Sequence, residues 1–103
     1  MSSPFASGLA RPAATPVTVA MSGTGRLAAV SDSTNLAGRR AIVVSNVSTS
    51  NRINVWYESG ATNQVTFIPA GEVLVLIASA SESYWLTADA GTDNAVIYET
   101  NAL

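Results

Sequence analysis

The stretch Arg52–Ser59 reads RINVWYES, and its apolar side chains alternate with polar ones as a half-buried β-strand requires. The alternation predicts two sets of side chains on opposite sides of a sheet: Ile53, Val55 and Tyr57 against Arg52, Asn54 and Trp56. The stretch Val73–Ile77, VLVLI, is instead apolar on both faces. Such a strand either lies centrally in a two-layer core or packs against a neighbouring subunit, and the sequence leaves both possibilities open.

Similar runs of Val, Ile and aromatic residues recur along the chain, separated by clusters of Gly, Asn, Ser and Asp. Eight strands are predicted: Thr15–Met21, Arg26–Ser31, Ala41–Val47, Arg52–Glu58, Gln64–Ile68, Glu72–Ala78, Ser83–Ala88 and Asn94–Thr100. Their starts lie about ten residues apart, which is typical of sandwiches and barrels. The predicted fold is therefore all-β, a single antiparallel β-sandwich or jelly-roll-like domain over residues 15–103.

The tetrapeptide 68–71, IPAG, places Pro at its second position and Gly at its fourth. A type I turn prefers these residues at these positions. The sequence therefore predicts a hairpin between the fifth and sixth strands.

Residues 1–14 are rich in Ser, Ala and Pro and have no periodic apolar pattern, so they are predicted to form an extended N-terminal arm. No basic start precedes a continuous apolar run, and a secretory signal is not expected. Ordering such an arm costs about 1 to 2 kcal/mol per residue, which contacts within the arm cannot offset. We therefore expect it to bind a groove or sheet edge of a neighbouring subunit. The candidate contact residues are Pro4, Phe5, Leu9, Arg11 and Pro12.

The composition is apolar for a chain of 103 residues, a length typical of one domain. Apolar residues make up 48% and charged residues 12%, and the mean hydropathy is +0.27. Small domains expose much surface, so we expect part of the apolar surface to contact another chain. The net charge of −2 and a pI near 4.7 provide no basic stripe, so neither nucleic acid nor a membrane surface is an expected partner.

The chain has no His, Cys or Lys. Relays such as Ser-His-Asp, Schiff bases, Ser-Lys dyads and His- or Cys-ligated metal sites are therefore excluded. We expect no enzymatic activity, catalytic residue, metal or cofactor. The remaining candidate acids and bases are the carboxylates, but no two of them are expected to act as a pair: Asp32, Glu58, Glu72, Glu82, Asp89, Asp93 and Glu99. The four Glu residues lie at or beside predicted strand ends and turns and are expected to be solvated.

Two adjacent aromatic pairs, Trp56-Tyr57 and Tyr84-Trp85, each should direct one ring inward and one outward. Outward rings on a β-sandwich bind sugars or partner proteins. Trp56 and Trp85 are the candidate exposed contacts, although packing in the core or at its rim remains the alternative.

The segments 40–48 (RAIVVSNVS), 53–57 (INVWY), 68–72 (IPAGE) and 84–88 (YWLTA) follow one another in a progression that resembles small virion proteins of tailed bacteriophages. The similarity is to capsid decoration (cement) proteins and the base domains of head fibres, over residues 39–100. It implies a β-sandwich subunit, often trimeric, on the outer capsid surface, where it stabilises the shell. The implied partners are the major capsid protein and further copies of the chain in a homotrimer.

Two other functions stay open at this point. The first is a head-tail adaptor or a tail or fibre component, which differs from a decoration protein mainly in its position on the virion. The second is a carbohydrate-binding β-sandwich module, in which an outward Trp56 or Trp85 would lie beside Asn, Gln or Asp in a shallow groove.

Overall fold

A computed structural model describes residues 15–89 and 93–102, and this part of the chain is all-β, with eight strands and no helix. The strands are β1 (Val17–Met21), β2 (Arg26–Leu27), β3 (Ala41–Asn46), β4 (Ile53–Trp56), β5 (Gln64–Ile68), β6 (Val73–Ile77), β7 (Trp85–Ala88) and β8 (Asp93–Thr100). The predicted arm, with its five candidate contact residues, lies outside the described residues.

The strands form two four-stranded antiparallel sheets. Sheet A has the order β1-β8-β3-β6, and sheet B has the order β2-β7-β4-β5. The first strand therefore pairs with the last, the second with the seventh, the third with the sixth and the fourth with the fifth. This nested pairing is the topology of a jelly roll, in which a long hairpin is wrapped into two facing sheets. The predicted β-sandwich fold is confirmed.

The core lies between the two sheets and is built from alternate residues of each strand. Sheet A contributes fully buried side chains such as Ile42, Val44 and Ile97, and sheet B contributes Val55 and Leu86. Each such side chain stabilises the fold by about 1.5 to 3 kcal/mol relative to an exposed one. Because residues two apart in a strand share a face, these core positions determine which side chains point outward.

The predicted second strand, Arg26–Ser31, is largely wrong, since β2 ends at Leu27. The chain from Ala28 to Gly38 instead forms an irregular loop in which the Arg26 guanidinium donates to backbone carbonyls, including that of Ala29 at 3.0 Å. Side-chain donors thus replace a strand partner for these carbonyls.

The predicted hairpin between the fifth and sixth strands is also wrong. β5 pairs with β4 in sheet B, whereas β6 pairs with β3 in sheet A, so the connection crosses from one sheet to the other. The turn itself is one residue later than predicted, because the Glu72 amide donates to the Pro69 carbonyl at 3.1 Å. Gly71 then takes the third position with φ of 79°, which suits a type II turn.

Candidate interaction surfaces

The outward side of sheet B is defined by the register of β4 with its neighbours. Trp56 lies directly opposite Trp85, and Asn54 lies opposite both Thr87 and Phe67. Since Val55 and Leu86 point into the core, these five side chains point away from it. We call this surface the aromatic face, which comprises Arg52, Asn54, Trp56, Gln64, Phe67, Trp85, Thr87 and Asp89.

Polar groups on the aromatic face bind one another. Asn54 donates to Asp89 at 2.7 Å and accepts from Gln64 at 3.0 Å, and it is only 6% exposed. The Trp56 indole N–H donates to the Thr87 hydroxyl at 2.9 Å. These bonds hold the side chains in place, and the polar groups between the aromatic rings keep this face hydrophilic.

An ion pair and a cation–π contact flank this network. Arg52 and Asp89 form a half-exposed ion pair at 2.9 Å, and the Arg52 guanidinium lies 4.7 Å from the Phe67 ring centroid. Both are surface interactions, each of about 1 kcal/mol or less.

The outward side of sheet A differs in chemistry. In the register, Val43 lies opposite Val75 on one side and Tyr98 on the other. Since Ile42, Val44 and Ile97 point into the core, these side chains point outward. We call this surface the apolar face, which comprises Thr18, Ala20, Ala41, Val43, Ser45, Val73, Val75, Ile77, Asn94, Val96, Tyr98 and Thr100.

No Asp, Glu, Lys or Arg belongs to the apolar face as defined. Three of its large aliphatic side chains are exposed, Val73 by 46%, Val75 by 37% and Ile77 by 69%, whereas Ala41 and Val43 are buried. Tyr98 is half-buried on this face, and burial raises its pKa. The apolar face therefore has no counterpart to the network of charged and amide side chains on the aromatic face.

A buried ion pair closes one end of the core. Arg39 donates to Glu99 at 2.8 Å, and both residues are at most 2% exposed. The other carboxylate bonds come from the amides of Val30 at 2.9 Å and Leu36 at 2.8 Å. The pair thus fixes the loop 28–38 to sheet A.

The expectation that the Glu side chains are solvated is wrong for Glu99. It lies opposite Ile42 and follows Ala95 and Ile97 on the inward side of β8, so the strand alternation points it into the core. That alternation was the sequence signal for a buried carboxylate. A depression of about 260 Å³ borders Glu99 and the loop, but the bonds from Val30, Leu36 and Arg39 already occupy both carboxylate oxygens.

Glu58 is the opposite kind of carboxylate and lies at the surface, in the turn between β4 and β5. It accepts bonds from the backbone and side chains of Asn63 and Thr62, between 2.6 and 3.0 Å. These donors, the Asn63 amide first, lower the pKa of Glu58 to about 2. The group orders the turn.

The aromatic residues are only partly as predicted. Trp56 and Trp85 both lie on the aromatic face and are half-buried. Tyr84 packs against the core, whereas Tyr57, which was expected to point inward, lies beyond the end of β4 and is 57% exposed. The rings of Tyr57 and Tyr84 are 5.9 Å apart at one end of the sandwich.

Within residues 15–89 and 93–102, no three His, Cys, Asp or Glu side chains are grouped closely enough to hold a metal ion. Across the same residues, no helix has the length and hydrophobicity needed to span a membrane. Comparison with protein-family models, curated proteins and solved structures finds no match to the chain.

Proposed function

We propose that the chain is a non-enzymatic structural subunit of a tailed-bacteriophage virion, which binds the outer capsid surface as a decoration protein and stabilises the shell. Its partners in this role are the major capsid protein and other copies of itself. The role needs no catalytic group, metal or cofactor, which agrees with a chain that has no His, Cys or Lys.

The observation that carries this proposal is the apolar face. Val73, Val75 and Ile77 expose adjacent aliphatic side chains on a sheet surface that has no charged residue. A soluble monomer rarely keeps such a patch open, and its usual purpose is contact with another protein. The jelly-roll topology supports the proposal more weakly, since viral capsid and lectin domains both use it and a fold does not define a function.

The proposal is tested on particles purified from cells that produce the chain. We expect mass spectrometry to find it in the particles and cryo-electron microscopy to locate it at junctions between capsid subunits. Deleting residues 2–14 should abolish attachment while the β-sandwich stays folded, as measured by circular dichroism. Particles that lack the chain, or a chain found only in the soluble fraction, would contradict the proposal.

The aromatic face favours a second candidate function, binding of carbohydrate. Two half-buried Trp rings and an exposed Phe67 lie beside amide and carboxylate groups. In sugar-binding sites, aromatic rings stack on the apolar faces of the sugar, and amides and carboxylates form hydrogen bonds with its hydroxyls. We place this function second because Asn54, Gln64 and Asp89 already bind one another, so a sugar would have to displace bonds within the face.

Binding to a glycan array with quenching of Trp fluorescence tests the second function. Trp85→Ala should abolish any binding, whereas Tyr57→Ala, at the end of the sandwich, should leave it unchanged. Absence of binding to all glycans at millimolar concentration would remove this candidate.

A further inference from the structure

The four strands at the sheet edges are β1 and β6 in sheet A and β2 and β5 in sheet B. An open edge strand presents unpaired amides and carbonyls, and natural proteins protect such edges with Pro, bulges, charges or very short strands. β2 has only two residues, β5 contains a bulge at Val65 and precedes Pro69, and β1 follows Pro16. Three of the four edges are therefore protected.

β6 has none of these protections. Its five residues, VLVLI, include no Pro and no charge and pair with β3 without a register shift. The Ala78 amide donates to Arg40 and the Glu72 carbonyl accepts from Asn46, so the even-numbered residues direct their backbone groups toward β3. The amides and carbonyls of Val73, Val75 and Ile77 therefore point to the open edge.

We propose that β6 pairs with β6 of a second copy of the chain, antiparallel, about a two-fold axis at Val75. In this register, Val73 lies opposite Ile77 of the second copy, and every residue of the strand has a strand partner. The pairing forms about six backbone hydrogen bonds and joins the two A sheets into one continuous sheet. It also places the exposed side chains of the two apolar faces side by side.

The charges beside β6 are complementary in this register. Arg40 lies opposite Ala78, and Ala78 lies opposite Glu72 of the second copy. Arg40 and that Glu72 are thus about 10 Å apart between Cα atoms, on the same side of the sheet, within reach of two long side chains. Both residues are exposed, and the two-fold axis creates the contact twice.

The interface is small. A five-residue strand is about 17 Å long, and a sandwich of two sheets adds about 10 Å of depth, so each copy buries a few hundred Å². Such areas belong to weak, reversible contacts. The dimer should therefore dissociate on dilution, and a closed pair is expected here instead of the trimer that the resemblance implied. The proposal depends only on described residues, so it can hold even if the chain is not a virion protein.

Charge reversal in the full-length chain tests the proposal. In sedimentation velocity at low salt, we expect a concentration-dependent dimer whose Kd rises about tenfold in Arg40→Glu and in Glu72→Arg. The double variant Arg40→Glu/Glu72→Arg restores the opposite charges, and its Kd should return to within about threefold of the original. Because both side chains are exposed, the variants should fold, and circular dichroism checks that they do.

Three outcomes would overturn the proposal: a chain that stays monomeric at millimolar concentration, single reversals that leave Kd unchanged, or a double variant no tighter than the single ones. If association is lost on deleting residues 2–14 but is unaffected by the charge reversals, the N-terminal arm, and not β6 of a second copy, binds the edge of β6. A dimer that passes this test but is missing from virions would refute the proposed function alone.

Discussion

The two sheets distribute polarity in opposite ways. Sheet B directs aliphatic side chains inward and aromatic and polar ones outward, where Asn54, Gln64 and Asp89 bind one another. Sheet A directs a carboxylate inward, Glu99, and presents an uncharged aliphatic surface outward. The outer surface of sheet B therefore carries polar groups that suit contact with water, whereas the outer surface of sheet A is suited to contact with protein. In the proposed role, sheet A is the side of the sandwich that contacts other chains.

The largest expected effect on stability comes from Glu99, the carboxylate that sheet A directs into the core. Glu99→Gln leaves the Arg39 guanidinium buried without a counter-charge, and breaking a buried pair in this way costs about 3 to 5 kcal/mol. We expect guanidinium denaturation to report that loss in the free energy of unfolding. Glu72→Gln, an exposed control, should change it by less than about 0.5 kcal/mol.

Replacing both Arg39 and Glu99 distinguishes the cost of an unpaired buried charge from the cost of losing the hydrogen bonds that hold the loop 28–38. Arg39→Met/Glu99→Leu should recover part of the loss, since no lone charge remains. Recovery should be incomplete because the amides of Val30 and Leu36 lose their acceptor. A single variant as stable as the original chain would show that sheet A does not depend on the buried pair.

The outward polar network of sheet B is expected to contribute less. Asn54→Ala removes the partner of both Asp89 and Gln64 at a site that is 6% exposed, so it should cost about 1 to 3 kcal/mol. Thermal unfolding measures the loss. The control Thr18→Ala changes an exposed hydroxyl on the apolar face and should be neutral. Equal effects of the two variants would contradict the contrast between the faces.

The apolar face should respond differently at two positions that lie directly opposite each other. Val43→Thr places a hydroxyl at a site that is 1% exposed and should cost about 1 to 3 kcal/mol. Val75→Thr, at 37% exposure, should leave the stability of the dilute monomer unchanged within about 0.5 kcal/mol but weaken association. Denaturation at low concentration and sedimentation at high concentration together distinguish these effects.

The smallest expected effect concerns the exposed carboxylate of the turn after β4. The pKa of Glu58 is lowered from 4.5 to about 2, so its contribution to stability is present above pH 4.5 and is lost as the pH falls toward 2. Carbon-detected NMR of the carboxyl group should show this low titration midpoint. Asn63→Ala should raise the pKa toward its usual range, and a midpoint near 4.5 in the original chain would contradict the assigned bonds.

Much of the fold could be predicted because strand alternation is a local property. Alternation predicts the positions of all eight strands, although β2 is much shorter than predicted, and the boundaries of Gln64–Ile68 are correct. The pairing could not be read in the same way, because a short turn such as Pro69–Gly71 can join two strands of one sheet or cross between two sheets. The predicted hairpin failed for that reason.

The side chains that anchor loops were harder to predict. Glu99 follows the inward pattern of β8, but its partners Val30 and Leu36 lie in the loop 28–38 and Arg39 directly follows it, in a segment with no periodicity. The outward position of Trp56 followed from alternation, whereas the hydrogen bonds of the aromatic face depend on neighbouring strands β5 and β7. The function was the hardest property to predict from the sequence, because an uncharged surface can contact many different proteins.

Hydrogen exchange measured residue by residue at increasing protein concentration tests most directly whether another chain covers sheet A. The amides of Val73, Val75 and Ile77 should exchange rapidly in dilute solution and become protected as the concentration rises, while the amide of Gly60 stays fast throughout. Rapid exchange of all three at every concentration, in a particle of constant 10.6 kDa mass, would contradict the account.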